Sequence, residues 1–222
     1  MPLKLITPII YLITSGETTP QTTPASEDFS RLLKVIKAAV AGGVDLLQLR
    51  EKNLNTRVLF ELTAQAAEIT RGSSTRLLVN DRADVARAAG AHGVHLATRS
   101  LETSVVRKTF GDQLLIGVSA HSLEEVKAAR DSGANFAVFG PVFETATKQV
   151  YGEPQGVEKL AQVTGELAPF PVLALGGITL DNAGDCFRAG ASGVAAIRVL
   201  NKTDKLGQVV AEIRAKFQEQ ER

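Results

Sequence analysis

Three polar side chains close the apolar run Val44-Asp-Leu-Leu-Gln-Leu and raise the first chemical question: Gln48, Arg50 and Lys52 stand at alternate positions. Side chains alternate faces along a strand. Leu46, Gln48 and Arg50 therefore share one face, and Lys52 joins them if the strand runs that far. An amide and two cations at the C-terminal end of a buried strand match an anion, best a phosphate or pyrophosphate. The competing reading is a solvated loop with ordinary surface charges. Two cations on one face directly after a buried strand favour the ligand.

Other strand ends carry compatible groups. Asn80 and Asp81 offer an amide and a carboxylate; Asp81 suits Mg2+, which takes oxygen ligands and bridges phosphates, and equally suits an N-cap for the helix from Ala83. Ser119 and His121 follow a later strand. His121 is a candidate acid-base group, although a lone histidine is more often a hydrogen-bonded structural residue. In the loop Gly140-Pro-Val-Phe-Glu-Thr-Ala-Thr-Lys148, the hydroxyls of Thr145 and Thr147 precede Lys148, which suits a clamp on phosphate or a polar ring. Gly176-Gly177 lets backbone amides approach a ligand closely. His92 and His95 have no evident partner and read as structural, and Cys186 reads as a small buried apolar residue. Zinc-type Cys/His spacing, a Walker loop and a Ser-His-Asp order are all absent. The chemistry indicated is phosphate or pyrophosphate handling without a protein nucleophile, and the residues alone do not name the substrate.

Eight short apolar runs must position these groups: 9–14, 44–49, 76–80, 93–96, 114–119, 135–139, 171–175 and 193–197. Helical spacing predicts helices at about 29–41, 56–69 (Thr56 as N-cap), 83–89, 101–110, 122–131, 157–167, 182–189 (Asp181 as N-cap) and 205–217. Ser122 and Glu125 form a capping box. Glycine-led phrases such as Ala189-Gly-Ala-Ser-Gly-Val194 link helix to strand. Alternation of this kind over 222 residues predicts an α/β fold, a single-domain (β/α)8 (TIM) barrel spanning 1–222. A doubly wound open sheet usually has fewer strands and a Gly-rich first turn. Residues 15–30 follow strand one and so lie on the active rim, in position for a lid.

Composition narrows the partners. A net charge of +1, 5% aromatics and no Trp give no footprint for nucleic acid or an anionic membrane. The Ile6–Ile13 run is broken by Pro8 and too short to span a bilayer. One cysteine excludes an internal disulfide and suits a reducing cytoplasm. Small-molecule substrates are expected, and a homo-oligomer is compatible with everything above.

The motifs QLREK (48–52), VNDR (79–82), GVHL (93–96), GVSAHSLEE (117–125), GPVFETATK (140–148), LALGGIT (173–179) and GASGVAAI (190–197), in order along nearly the whole chain, resemble the thiamin-phosphate synthase family and its TenI-type thiazole tautomerase relatives. The resemblance implies condensation of hydroxymethylpyrimidine pyrophosphate with a thiazole phosphate, releasing pyrophosphate through a dissociative step. It assigns Gln48, Arg50, Lys52, Asn80, Ser119 and Lys148 to the pyrimidine pyrophosphate and Asp81 to Mg2+. Thr145, Thr147, Gly176 and Gly177 go to the thiazole phosphate. Two positions depart from the pattern. Ser100 stands where a second Mg2+-binding Asp is usual, with Glu102 a candidate substitute; Ile197-Arg198 stands where a phosphate-binding Ser is usual, so Arg198 either takes that phosphate or points away. The tautomerase branch uses a histidine at the His121 position and tolerates loss of the metal site. The complete Gln48-Arg50-Lys52 set with Asp81 and Lys148 favours the synthase over the tautomerase, and over a phosphate-binding barrel without catalysis.

Overall fold

A computed structural model, which describes residues 7–145 and 153–220, closes eight parallel strands into one barrel in sequence order. The strands are β1 (Ile9–Ile13), β2 (Leu46–Leu49), β3 (Arg76–Asn80), β4 (Gly93–Leu96), β5 (Leu115–Ala120), β6 (Phe136–Phe139), β7 (Val172–Leu175) and β8 (Gly193–Ala196). Around them lie α1 (Glu27–Ala41), α2 (Thr56–Thr70), α3 (Ala83–Ala88), α4 (Thr103–Phe110), α5 (Leu123–Asp131), α6 (Gly156–Leu167), α7 (Ala183–Arg188) and α8 (Leu206–Gln218). Closure follows from β1 pairing with both β2 and β8, Tyr11 lying opposite Leu46 on one side and Ala195 on the other.

Because side chains alternate, the strands build two apolar layers. Ile9, Tyr11, Ile13, Leu46, Leu78, Leu115, Phe136, Val138, Leu173 and Ala195 fill the barrel interior. Ile10, Leu12, Leu47, Leu49 and Val194 face outward against the helices, packing with Leu32, Ile36, Leu62 and Ile213. The inner face is where the polar strand residues point, in the layer above this plug. At Gly117 a Cβ would lie 2.3 Å from the Phe136 ring and 2.9 Å from His95 Nδ1, so only glycine lets both rings share the centre.

Several local expectations change. α1 starts at Glu27 rather than near Phe29. Asn55, not Thr56, caps α2, its Oδ1 accepting from Val58 N at 3.0 Å; Thr56 Oγ1 instead accepts from Arg82. Asp181 does not cap α7: Asn182 and Thr179 exchange backbone-to-side-chain hydrogen bonds just before it. Half of the expected capping box at α5 forms: Ser122 Oγ accepts from Glu125 N, while the Glu125 carboxylate takes the amide of His121, one residue before the cap, at 2.6 Å.

Candidate active site

At the C-terminal ends of β2 to β5 the inward positions are polar. Gln48 and Asn80, on neighbouring strands, join through Gln48 Nε2 to Asn80 Oδ1 at 3.0 Å. Asn80 Nδ2 donates to Asp81 Oδ2 at 2.8 Å. On the other side Tyr11 OH donates to Gln48 Oε1 at 3.1 Å and lies 3.2 Å from His95 Nδ1. His95 Nε2 is 2.9 Å from Ser119 Oγ. Expected without a partner, His95 therefore has two, and it sits at the centre of the polar layer. Its signal in the sequence was phase: the alternation that turns Gly93 inward, level with Leu115 on β5, turns His95 inward too, level with Gly117.

Burial decides the protonation of this layer. His95 is 3% exposed, and burial, with Arg50 adding to it, holds the imidazole down to about 4 against the pull of the Asp81 charge. Burial likewise pushes the Tyr11 phenol up. Both groups are neutral at pH 7, forming a dry, uncharged floor.

Asp81 stands at the edge of that floor. It is the one described non-glycine residue with positive φ, at 60°, a conformation that costs about 1 kcal/mol and persists where the surroundings impose it. The turn aims its carboxylate across β3 to β4, where Ser100 Oγ donates to Oδ1. Asp81 is thus not a helix cap; Arg82 occupies that position. Ser100 meets the carboxylate as a donor rather than as a second anion. Glu102, the residue before α4, is exposed and makes no side-chain cap to that helix. Among the described residues no cluster of three or more His, Cys, Asp or Glu could hold a metal. What remains is the Asp81 carboxylate with the Ser100 hydroxyl oxygen beside it, Asn80 turning its N–H rather than its oxygen to this edge. This hard-oxygen set fits Mg2+ in the mode where one carboxylate and the ligand's phosphates share the ion.

Arg50 is half-buried at the tip of β2; Lys52 lies past the strand end, in a turn, exposed. Between them is a residue the sequence reading passed over. Glu51 is 3% exposed. Its Oε1 accepts from Thr14 Oγ1 at 2.6 Å and Gly16 N at 3.3 Å, and its Oε2 from Thr18 Oγ1 at 2.7 Å and Thr18 N at 3.4 Å. Asn53 adds a bond to Thr18 O at 2.9 Å. The loop after β1 is therefore pinned to the strand that carries Gln48 and Arg50, a fixed wall of the rim. The available signal was again alternation, which puts Glu51 on the outer face with Leu47 and Leu49, where a charge needs partners.

The β6 to β8 side is made differently. Val142 N and Phe143 N donate to Leu175 O and Gly176 O, extending the pairing of β6 and β7. A Cβ on Gly176 would come within 2.6 Å of Pro141 and one on Gly177 within 2.5 Å of Glu144 O, so these glycines admit the loop after β6 as well as any ligand. Thr145 is half-buried at that loop's start; Thr147 and Lys148 lie outside the described residues. His121 Nδ1 donates to Gly140 O at 2.5 Å, tying β5 to the same loop. Ile197 packs against the inner cluster, and Arg198 is exposed. Cys186 is buried, its thiol pushed up to about 12 by burial, and takes no part.

Comparison with known proteins bears on this site. The thiamine monophosphate synthase family model matches residues 11–200. A putative thiamine-phosphate synthase of Geobacter sulfurreducens is 47% identical over 169 residues, 76% of this chain and 79% of that one. The thiamine-phosphate synthase of Chloroflexus aurantiacus is 38% identical over 181 residues, 82% and 83% of the two chains. A solved thiamine phosphate pyrophosphorylase from Pyrococcus furiosus superposes with a TM-score of 0.79 at 29% identity, covering 95% of this chain and 96% of its own.

Proposed function

This chain belongs to the thiamine monophosphate synthase family, and we propose that it joins hydroxymethylpyrimidine pyrophosphate to thiazole phosphate and releases pyrophosphate. It is a transferase of thiamine biosynthesis. The observation that carries the site assignment is the joining of Gln48, Asn80 and Asp81 across adjacent strand ends, with Arg50 at the tip of the same strand as Gln48.

In this reading the bond from the pyrimidine methylene carbon to the pyrophosphate oxygen breaks, and its electron pair leaves with pyrophosphate. The thiazole nitrogen then donates its lone pair to that carbon. Arg50 and Lys52 bind the leaving anion and stabilise the charge that develops on it. Gln48, Asn80 and Ser119 orient the pyrimidine, and the neutral His95 and Tyr11 keep the floor beneath it free of charge and water. Thr145, Gly176 and Gly177, with Thr147 and Lys148 from the sequence, receive the second substrate. Asp81, flanked by Asn80 and Ser100, would hold Mg2+, which when bound neutralises pyrophosphate charge. No described helix is long and apolar enough to cross a membrane, and we place the reaction in the cytoplasm.

The test is turnover of both substrates in a Mg2+ titration. Formation of thiamine phosphate is expected, and none at saturating metal would sink the reading. One observation favours a second activity: with Nδ1–H given to Gly140 O, Nε2 is the His121 ring nitrogen left to exchange a proton with a ligand, as a thiazole tautomerase would need. That alternative predicts metal-independent isomerisation of a thiazole carboxylate phosphate, abolished in His121→Ala.

A further inference from the structure

The hydrogen bonds under the proposed site form one chain, and its direction can be read from a single end. The Asp81 carboxylate acts as an acceptor throughout, taking Ser100 Oγ and Ala97 N on Oδ1 and Asn80 Nδ2 on Oδ2 at 2.8 Å, so Asn80 turns its N–H toward it. Asn80 Oδ1 then faces Gln48, which answers with Nε2 at 3.0 Å. Gln48 is left with Oε1 toward Tyr11, whose hydroxyl donates at 3.1 Å. Its proton committed, the Tyr11 oxygen can only accept from His95, 3.2 Å away, so Nδ1 carries the proton. A neutral ring then has a bare Nε2, and Ser119 donates to it across 2.9 Å. Ser119 has only lone pairs left for a ligand, and Gln48 keeps one further N–H.

We propose that Tyr11 and His95 are positioning residues that carry the acceptor polarity of Asp81 across the barrel floor, so that Ser119 meets the bound ring as an acceptor and Gln48 meets it as a donor. This rests on a pyrimidine pyrophosphate being the substrate. Such a floor matches an aminopyrimidine, which offers an N–H beside a ring lone pair. It opposes the oxo analogue, in which donor and acceptor change places. Neither Tyr11 nor His95 needs to touch the ligand for this discrimination.

The experiment is a long-range 1H–15N spectrum of the histidines in the full-length, ligand-free protein, with metal chelated, near pH 7. There are three histidines, and His95→Asn identifies the signals of His95. Wild type is expected to show protonated Nδ1 and bare Nε2. Asp81→Asn, whose side chain can accept or donate, removes the anchor, and Tyr11→Phe cuts the relay; each is expected to give a mixed tautomer population. A wild-type His95 protonated on Nε2, or both variants showing the wild-type pattern, overturns the proposal. In steady-state assays the kcat/KM preference for the amino over the oxo pyrimidine pyrophosphate is expected to fall on the order of tenfold in Tyr11→Phe; an unchanged preference also overturns it. Failure of the synthase reading registers separately, as absence of turnover by wild type, and leaves the tautomer measurement decisive.

Discussion

At the N-terminal end of the barrel Arg214 donates to Pro8 O, Gly43 O and both oxygens of Asp45, while Asp45 Oδ2 also takes the amide of Ile10. Arg107 there gathers the carbonyls of Gly111, Leu114 and Gly133 with Asn135 Oδ1. At the C-terminal end Lys52 and Arg198 face solvent, and Asp81 holds a strained backbone with an exposed carboxylate. Both ends are rich in charge. One closes its charges on the chain's own backbone, tying strand to strand and to α8; the other turns them outward where a ligand's charges can complete them. Barrel enzymes generally keep stability at the first face and chemistry at the second, and here the hydrogen bonds show how.

Mutations at the two ends should separate activity from stability. Asp81→Asn keeps shape and tolerates positive φ, and is expected to lower kcat/KM on the order of 1000-fold, with denaturant stability changed by less than about 1 kcal/mol. A comparable loss of stability would erase the contrast. Arg107→Met leaves three carbonyls without their donor and is expected to cost about 3 kcal/mol in urea unfolding, with kcat/KM of the folded protein unaltered. A drop in kcat/KM would mean that the two ends are coupled.

The floor between the ends has its own signature in pH. The unfolded chain binds a proton at His95 below about its ordinary value of 6.5, and the fold refuses it down to about 4. The unfolded state then holds more protons, so stability falls as pH drops through that window, by up to about 3 kcal/mol. Denaturation curves of wild type and His95→Gln between pH 4 and 7 measure the difference; the variant should be flatter, and equal slopes would show that His95 is not protected.

The smallest effect sharpens the metal edge of the site. Ser100→Asp exchanges a donor for a second carboxylate beside Asp81. Calorimetric titration with pyrophosphate present should show Mg2+ binding on the order of tenfold tighter. Unchanged affinity would mean that the Asp81 carboxylate does not face the ion.

Much of this site was legible without coordinates, for a simple reason. Alternation along a strand is covalent geometry, so Gln48 and Arg50 could be put on one face from their spacing, Asn80 and Ser119 could be put on the same rim as strand ends, and the alternation of eight apolar runs with helical segments implied the barrel that closure confirms. Ser100 could likewise be placed beside Asp81 by motif position, but not its role as donor. Other features needed the fold. Thr56 and Asp181 read as caps as well as their neighbours do, and the difference is one of backbone angle. Glu51 sits between two cations and looks like surface until the loop after β1 folds over it. His95 looked partnerless because Tyr11 and Ser119 lie 84 and 24 residues away. The sequence by itself determined which face each strand residue takes and what kind of ligand the rim would suit. Only the tertiary structure decided the direction of the hydrogen bonds beneath it, because a proton's position in a chain depends on every partner at once, and closing the barrel is what makes those residues partners.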